Sequence, residues 1–400
     1  MAAATASPTS PAVSQLSRAP SYDVGAHPPA YGGAHHPQPT ESRPRETFVR
    51  KNDIVTVVLQ DVQVDARSAR PTYGRGDTIR GEVGLATTND VSSVVARLEG
   101  RMKIRLGDLT STHHTFVDVP VSLGAASSVL PFTLTIPETF TDRDDGLSYP
   151  LVPSLDIQDR AEAYQDELRV RVAYRLIVSV GRGNLHLQKS VEVDLNYEPR
   201  SPQNWQMPAP AARPNFAETK EIPLGWQTIA TQVKAAPPST IETIDCTLYA
   251  PSSETFSIRD KTPFTLLLQG PSASMRELFV PTVPPKLRKK EKSEHFPPPT
   301  IRISVKRQVV CSLQSITLAH SFIIGEGSLR MGTPGYANPG EARVLYEGEI
   351  ECPDSVKYAA FATNKITVSD FLVLSVAPHN PYFSEFAALN HTIPLKTVTG

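Results

Sequence analysis

The sequence predicts an all-β protein: two tandem immunoglobulin-type β-sandwiches behind a disordered N-terminal tail. Three observations carry this reading. Proline supplies 37 of 400 residues, nearly double an average of about 5%, and it removes an amide donor and clashes with the preceding turn, which disfavours long helices. Roughly a dozen runs either alternate apolar with polar residues or are β-branched over strand length, with turn residues between them. The length exceeds one ordinary core and suits two domains of about 150 residues plus a tail.

Taken in order, residues 1–46 are rich in Ala, Ser, Pro, His and Gly and show no periodicity. Such a segment buries too little apolar area to offset the entropy of ordering, so it is read as disordered. Residues 47–200 form the first sandwich. Its opening strand is IVTVVLQDVQV (54–64), followed by the loop PTYGRGD and a strand from Thr78. In VVARLEGRMKIRL, Val94, Ala96, Leu98, Met102, Ile104 and Leu106 take one face, while Arg97, Glu99, Arg101, Lys103 and Arg105 take the other. In LRVRVAYRLIVSV, the residues Leu168, Val170, Val172, Tyr174, Leu176, Val178 and Val180 point inward. Successive side chains of a strand face opposite ways, so each run covers a core on one side and meets water on the other. The turn GRGN (181–184) then makes a hairpin with LHLQKSVEVDLN, in which Lys189 interrupts the apolar face at a bulge or an edge. DIQDRAEAYQDEL (156–168) reads as a short helix or an acidic loop.

Residues 201–238, proline-rich and anchored by Trp205 and Trp226, read as the interdomain linker. In the second sandwich, 239–400, strands are expected at IETIDCTLYA, PFTLLLQ, TIRISVKRQVVC, ARVLYEGEIEC, KITVSDFLVLSV and HTIPLKTV.

Composition excludes several classes. A net charge of −1 argues against a nucleic-acid partner, which would call for a cationic excess. The three cysteines, Cys246, Cys311 and Cys352, have no ligand spacing, so reduced buried thiols in a cytoplasmic protein are expected. No apolar run is long enough to cross a membrane, and the N-terminus lacks the basic-then-apolar pattern of a secretory signal. His35-His36 and His113-His114 have no neighbouring ligands at metal spacing and read as loop histidines, and Asp142, Asp144 and Asp145 as loop charge. No nucleophile-elbow, zinc-protease, phosphate-loop or dinucleotide motif occurs in its required setting. No enzyme activity, cofactor or metal is therefore expected.

The order of several landmarks resembles a known family. PTYGRGDTIRGEV (71–83), VLPFTLTIP (129–137), LVPSL near Pro153, and VRVAYRLIVSV leading to VEVDLNYEPRSP are similar to the N-domain of fungal alpha-arrestins, the arrestin-related trafficking adaptors. PFTLLLQ, IRISVKRQVV and HTIPLKTV are similar, more loosely, to their C-domain. The resemblance spans about 350 residues and implies arrestin-like sandwiches in both halves. It places no equivalent of the buried charge cluster that clamps visual arrestins, so receptor-triggered activation of that kind is not carried over.

Against that background the tail's HPPAYGG (27–33) acquires a meaning. Pro28, Pro29, Ala30 and Tyr31 spell PPxY, a ligand pattern for WW domains. Adjacent prolines hold a polyproline II helix that docks on an aromatic groove at little entropic cost, and Tyr31 enters the neighbouring pocket with its hydroxyl near water. In the family that this chain resembles, such motifs recruit WW-domain HECT ubiquitin ligases, usually from behind the arrestin domains and in multiples; here one stands in front. A lone motif calls for avidity or a second contact.

Two basic groups complete the candidates. Lys286, Arg288, Lys289, Lys290 and Lys292, between proline brackets, suit an anionic lipid surface, each basic side chain near it contributing about 1 kcal/mol; a solvated loop is the plain alternative. Arg97, Arg101, Lys103 and Arg105 on one strand face suit a cargo surface; a wetted sheet face is the plain alternative. RGD at 75–77 reads as a turn, since Gly74 and Gly76 give the backbone freedom there. The expectation is a cytoplasmic adaptor, recruited peripherally to the plasma membrane or endosomes, that links cytoplasmic segments of membrane transporters or receptors to a ubiquitin ligase and promotes endocytosis. The alternative is an arrestin-fold sorting or scaffold subunit without ligase recruitment.

Overall fold

The β-branched and alternating runs that dominate this chain form strands almost throughout. The computed structural model describes residues 46–107, 110–124, 127–159, 168–183, 187–201, 225–237, 239–252, 255–279, 299–314, 316–332, 338–378 and 384–399. The tail motif at Pro28, Pro29 and Tyr31, Trp205, and the basic group at 286–292 lie outside the described residues.

The first half contains β1 (Glu46–Lys51), β2 (Val55–Val64), β3 (Pro71–Tyr73), β4 (Thr78–Leu85), β5 (Val91–Leu106), β6 (Thr110–Ser122), β7 (Val129–Thr135), β8 (Thr139–Thr141), β9 (Ser148–Pro150), β10 (Leu155–Asp159), β11 (Leu168–Arg182) and β12 (Leu187–Tyr197). Its sheet runs β6-β5-β11-β12-β3-β2-β4-β7, with β1 added on β2 and β10 on β11, and β8 and β9 forming a separate hairpin. Curled on itself, this sheet makes the first sandwich. The predicted inward residues of β5 and β11 are all buried, from Val94 and Ile104 on one to Val170 and Val180 on the other.

The second half contains β13 (Trp226–Val233), β14 (Ile244–Pro251), β15 (Thr255–Ser257), β16 (Thr262–Pro271), α1 (Ser272–Phe279), β17 (Thr300–Leu313), β18 (Ile316–Met331), β19 (Glu341–Glu351), β20 (Phe361–Ala362), β21 (Ile366–Ala377) and β22 (Leu389–Val398). The order β13-β14-β16-β19-β18-β17-β21-β22-β15 makes the second sandwich.

Several expectations need correction. Asp156–Asp159 belongs to a strand paired with β11, not to a helix, because Leu155 and Ile157 alternate into the core. Trp226–Val233 lies in the stretch read as linker, yet it is the first strand of the second sheet, paired along its length with β14. Only Trp226 and Val233 of that strand are fully buried, so it lacks the continuous apolar signal of a central strand. Of the two expectations for Lys189 the edge holds and the bulge does not: it sits in regular register opposite Val180 of β11, and among the described residues no strand pairs with the other side of β12 there. The Arg75-Gly76-Asp77 segment is a turn, as expected: the Gly74 amide donates to Asp77 Oδ2 at 2.6 Å and Gly76 has φ +68°.

The two halves share apolar packing. Val309, Cys311, Leu313, Ile366 and Val368 of the second half are buried within the core of the first.

Candidate functional site

The basic face is built by register. β5 pairs with β11 so that Lys103 stands opposite Arg171 and Arg105 opposite Arg169, and it pairs with β6 so that Lys103 stands opposite His113. The sequence singled out only the β5 members; pairing adds Arg169 and Arg171, whose alternation inside LRVRV is the signal in the sequence. Like charges placed directly opposite destabilise a sheet, so this arrangement is a cost that an anionic partner would relieve.

The four predicted residues divide into two pairs. Arg101 is held by Glu99, with Nε 2.7 Å from Oε1 and Nη2 donating to Oε2 at 2.8 Å. Arg97 lies 3.4 Å from Asp118. Arg105 Nε donates to the Gly107 carbonyl at 3.0 Å, and Lys103 is exposed. Glu99, expected on the wet face, is 7% exposed. A bulge explains the change: Gly100 opposes Val117 and Arg101 opposes Thr115, leaving Phe116 as the extra residue. Space is tight at Gly100: a Cβ would meet Val117, Phe116 and Tyr174 at 3.0–3.1 Å, so a larger residue would make those side chains shift. At the far end Arg175 pairs with Glu192 at 2.9 Å and Asp194 at 3.2 Å. Register thus adds Arg169 and Arg171 to the positive charge of Lys103 and Arg105 on this face. A concavity of about 300 Å³ opens among Glu99, Lys103, His113, Arg171 and Arg175.

His114 also lines this concavity and is a strand residue of β6, correcting the loop reading. Its Nε2 lies 3.9 Å from Asp142 Oδ2. Burial lowers the imidazole's pKa, and the nearby Lys365 ammonium lowers it further.

Asp142 lies in the loop between β8 and β9, as expected, but it is buried rather than solvated. Its side chain is 1% exposed and accepts from Lys365 Nζ at 3.0 Å; Asp144, on the same turn, lies 2.6 Å from that ammonium. Burial opposes the Asp142 charge, but the Asp144 amide and Lys365 outweigh it and hold the carboxyl below the usual carboxylate range. Burial also opposes the Lys365 charge, and Asp144 and Asp142 outweigh it, raising its pKa.

A second buried pair ties the later strands together. Arg307 on β17 meets Asp370 on β21 with both oxygens, at 2.7 and 2.8 Å. Arg307 also donates to the Tyr358 carbonyl at 2.9 Å, and its guanidinium stacks 4.6 Å from that ring's centroid. Thr397 donates to Asp370 at 2.6 Å. The sequence reading placed no buried charge cluster; the residues of both pairs are too far apart in the chain for spacing to reveal them.

Among the described residues, no cluster of metal-ligating side chains is found and no helix is long and apolar enough to cross a membrane. No family profile and no curated protein matches this chain.

Proposed function

We propose that this protein is a non-enzymatic adaptor that binds cytoplasmic segments of membrane proteins through the outer face of its first sandwich and recruits a WW-domain ubiquitin ligase through its tail. The observation that carries the proposal is the Pro28-Pro29-Ala30-Tyr31 motif in one chain with two tandem sandwiches, a combination that the arrestin-like adaptors resembled by the sequence also have, although there the motifs usually follow the sandwiches. Tethering the ligase raises its effective concentration at the lysines of the bound cargo. Lys103, Arg105, Arg169 and Arg171 supply a cationic surface for that cargo. The lysine- and arginine-rich segment at 286–292 would add an attraction to anionic lipid.

The test is titration of a fluorescent peptide spanning residues 20–40 with a panel of WW domains, alongside its Tyr31→Ala counterpart. Micromolar binding that disappears with the substitution is expected. Absence of binding across the panel removes the ligase arm and leaves a scaffold.

A further inference from the structure

In the second sandwich, the edge strands β13 and β22 face each other across a seam. Lys234–Ala236 and Glu385–Ala387 close one end: Ala235 bridges Phe386 in antiparallel fashion, with Ala236 N–H donating to Glu385 O at 2.7 Å and Ala387 N–H to Lys234 O at 3.0 Å. Beyond that bridge the strands separate. β13 pairs only with β14, and β22 from Leu389 to Leu395 pairs only with β21, among the described residues. Among the described residues, β13 after Trp226 and β22 from Leu389 to Leu395 therefore each have one edge with no strand against it.

The gap leads to the interior. A cavity of about 280 Å³ lies between the layers, lined by Ile229 of β13, Phe256, Phe264, Leu372, and Ile393 and Leu395 of β22. At ~30 Å³ per water molecule, this is room for a few aliphatic side chains rather than for a large ligand. Thr262 also lines it. Its residue is 6% exposed, and its Oγ1 finds no hydrogen-bond partner among the described residues, although buried hydroxyls normally have one.

The edges differ in a telling way. Exposed edges are ordinarily blunted by lysine, proline or other charge. β22 carries Pro394 and Lys396, whereas WQTIATQV of β13 carries no proline and no charge.

We propose that this seam binds an extended segment of a partner protein, which adds a strand to β13 and sets apolar side chains, at alternate positions, into the cavity against Ile229, Ile393 and Leu395, with Thr262 donating to it. Because β13 and β22 run antiparallel, the segment lies parallel to one and antiparallel to the other. The site is separate from the basic face and the tail, so this proposal does not depend on ligase recruitment.

The experiment uses the full chain and a fluorescein-labelled peptide in which threonine alternates with leucine and isoleucine. Three controls accompany it: the same residues rearranged with the apolar ones contiguous, the alternating peptide N-methylated at every second amide on either edge, and Ile393→Trp protein, whose cavity is filled. Expected is binding of the alternating peptide that weakens at least about tenfold, or about 1.4 kcal/mol, with the rearranged peptide, with methylation of at least one of the two edges, and with Ile393→Trp. Thr262→Val, which keeps the side chain's shape, weakens binding several-fold without lowering stability and serves if Ile393→Trp fails to fold. Equal binding of the rearranged or both N-methylated peptides, or no binding, overturns the proposal. So does self-association through this edge that the alternating peptide leaves unchanged, which would assign the seam to a second copy.

Discussion

Lys365 Nζ lies 3.0 Å from Asp142 Oδ2, joining a turn of the first sandwich to the residue just before β21 of the second. Both side chains are shielded from water, so neither charge is replaced by hydration when the other is removed. Breaking such a pair by deleting one partner typically costs about 3–5 kcal/mol. Lys365→Met is therefore expected to lower stability by about 3 kcal/mol in urea unfolding, and Asp142→Asn added to it should recover part of that loss. Additive losses in the double variant would mean that the two residues act separately.

The same cluster makes stability depend on acid. The folded-state pKa of Asp142 is depressed and that of His114 is lowered, so each group binds its proton more readily in the unfolded chain. Their contributions are present above the unfolded values, about 3.9 and 6.5, and are lost as pH falls through the folded ones. Stability should decline below about pH 6.5, and His114→Gln should flatten the decline between that point and the carboxylate range. An unchanged profile in the variant would remove His114 from the account.

Arg307 and Asp370 form the more deeply buried pair, with side chains 2% and 0% exposed. Arg307→Met strands the Asp370 carboxylate beside Thr397 and should cost about 3–5 kcal/mol. Asp370→Asn retains hydrogen-bonding capacity and should cost less. Equal losses in chemical denaturation would show that charge itself is unimportant there.

On the basic face, stability and binding are expected to move in opposite directions. Arg171→Glu converts a repulsive cross-strand pair with Lys103 into an attractive one, a gain of about 0.5 kcal/mol. The same change should weaken binding of an acidic cytoplasmic peptide. A variant that loses stability would show that the Lys103–Arg171 juxtaposition is not the strained element.

The thiols are expected to be silent in the native state. Burial pushes those of Cys246 and Cys311 up to about 12, and the thiolate is the reactive form. Iodoacetamide at pH 8 should label neither until the chain unfolds. Rapid native labelling of either would indicate local opening of its strand.

Strands were most legible where pattern and burial coincide. The alternation in β5 and β11 placed Leu98, Ile104, Val172 and Leu176 inward, and all are buried. β6, β13 and β18 were not singled out because the pattern of half-exposed strands is irregular: β18 reads ITLAHSFIIGEGSLRM with a bulge between Val305 and Lys306 of its partner. The helix Ser272–Phe279 was also missed, being eight residues long and shorter than the ten to twelve by which a helix is usually told from a strand.

The all-β class, the division into two sandwiches, the β5 half of the basic face and the tail motif are legible in the chain, because each rests on local periodicity or on contiguous residues. Tertiary structure alone decided that Arg169 and Arg171 join that face, that Asp142 meets Lys365 and Arg307 meets Asp370, and that the β13–β22 seam opens onto a cavity. Those features depend on strand pairing and layer closure, which bring together residues from 63 to 223 positions apart, and nothing in a one-dimensional pattern records which partner a charge or an edge will meet.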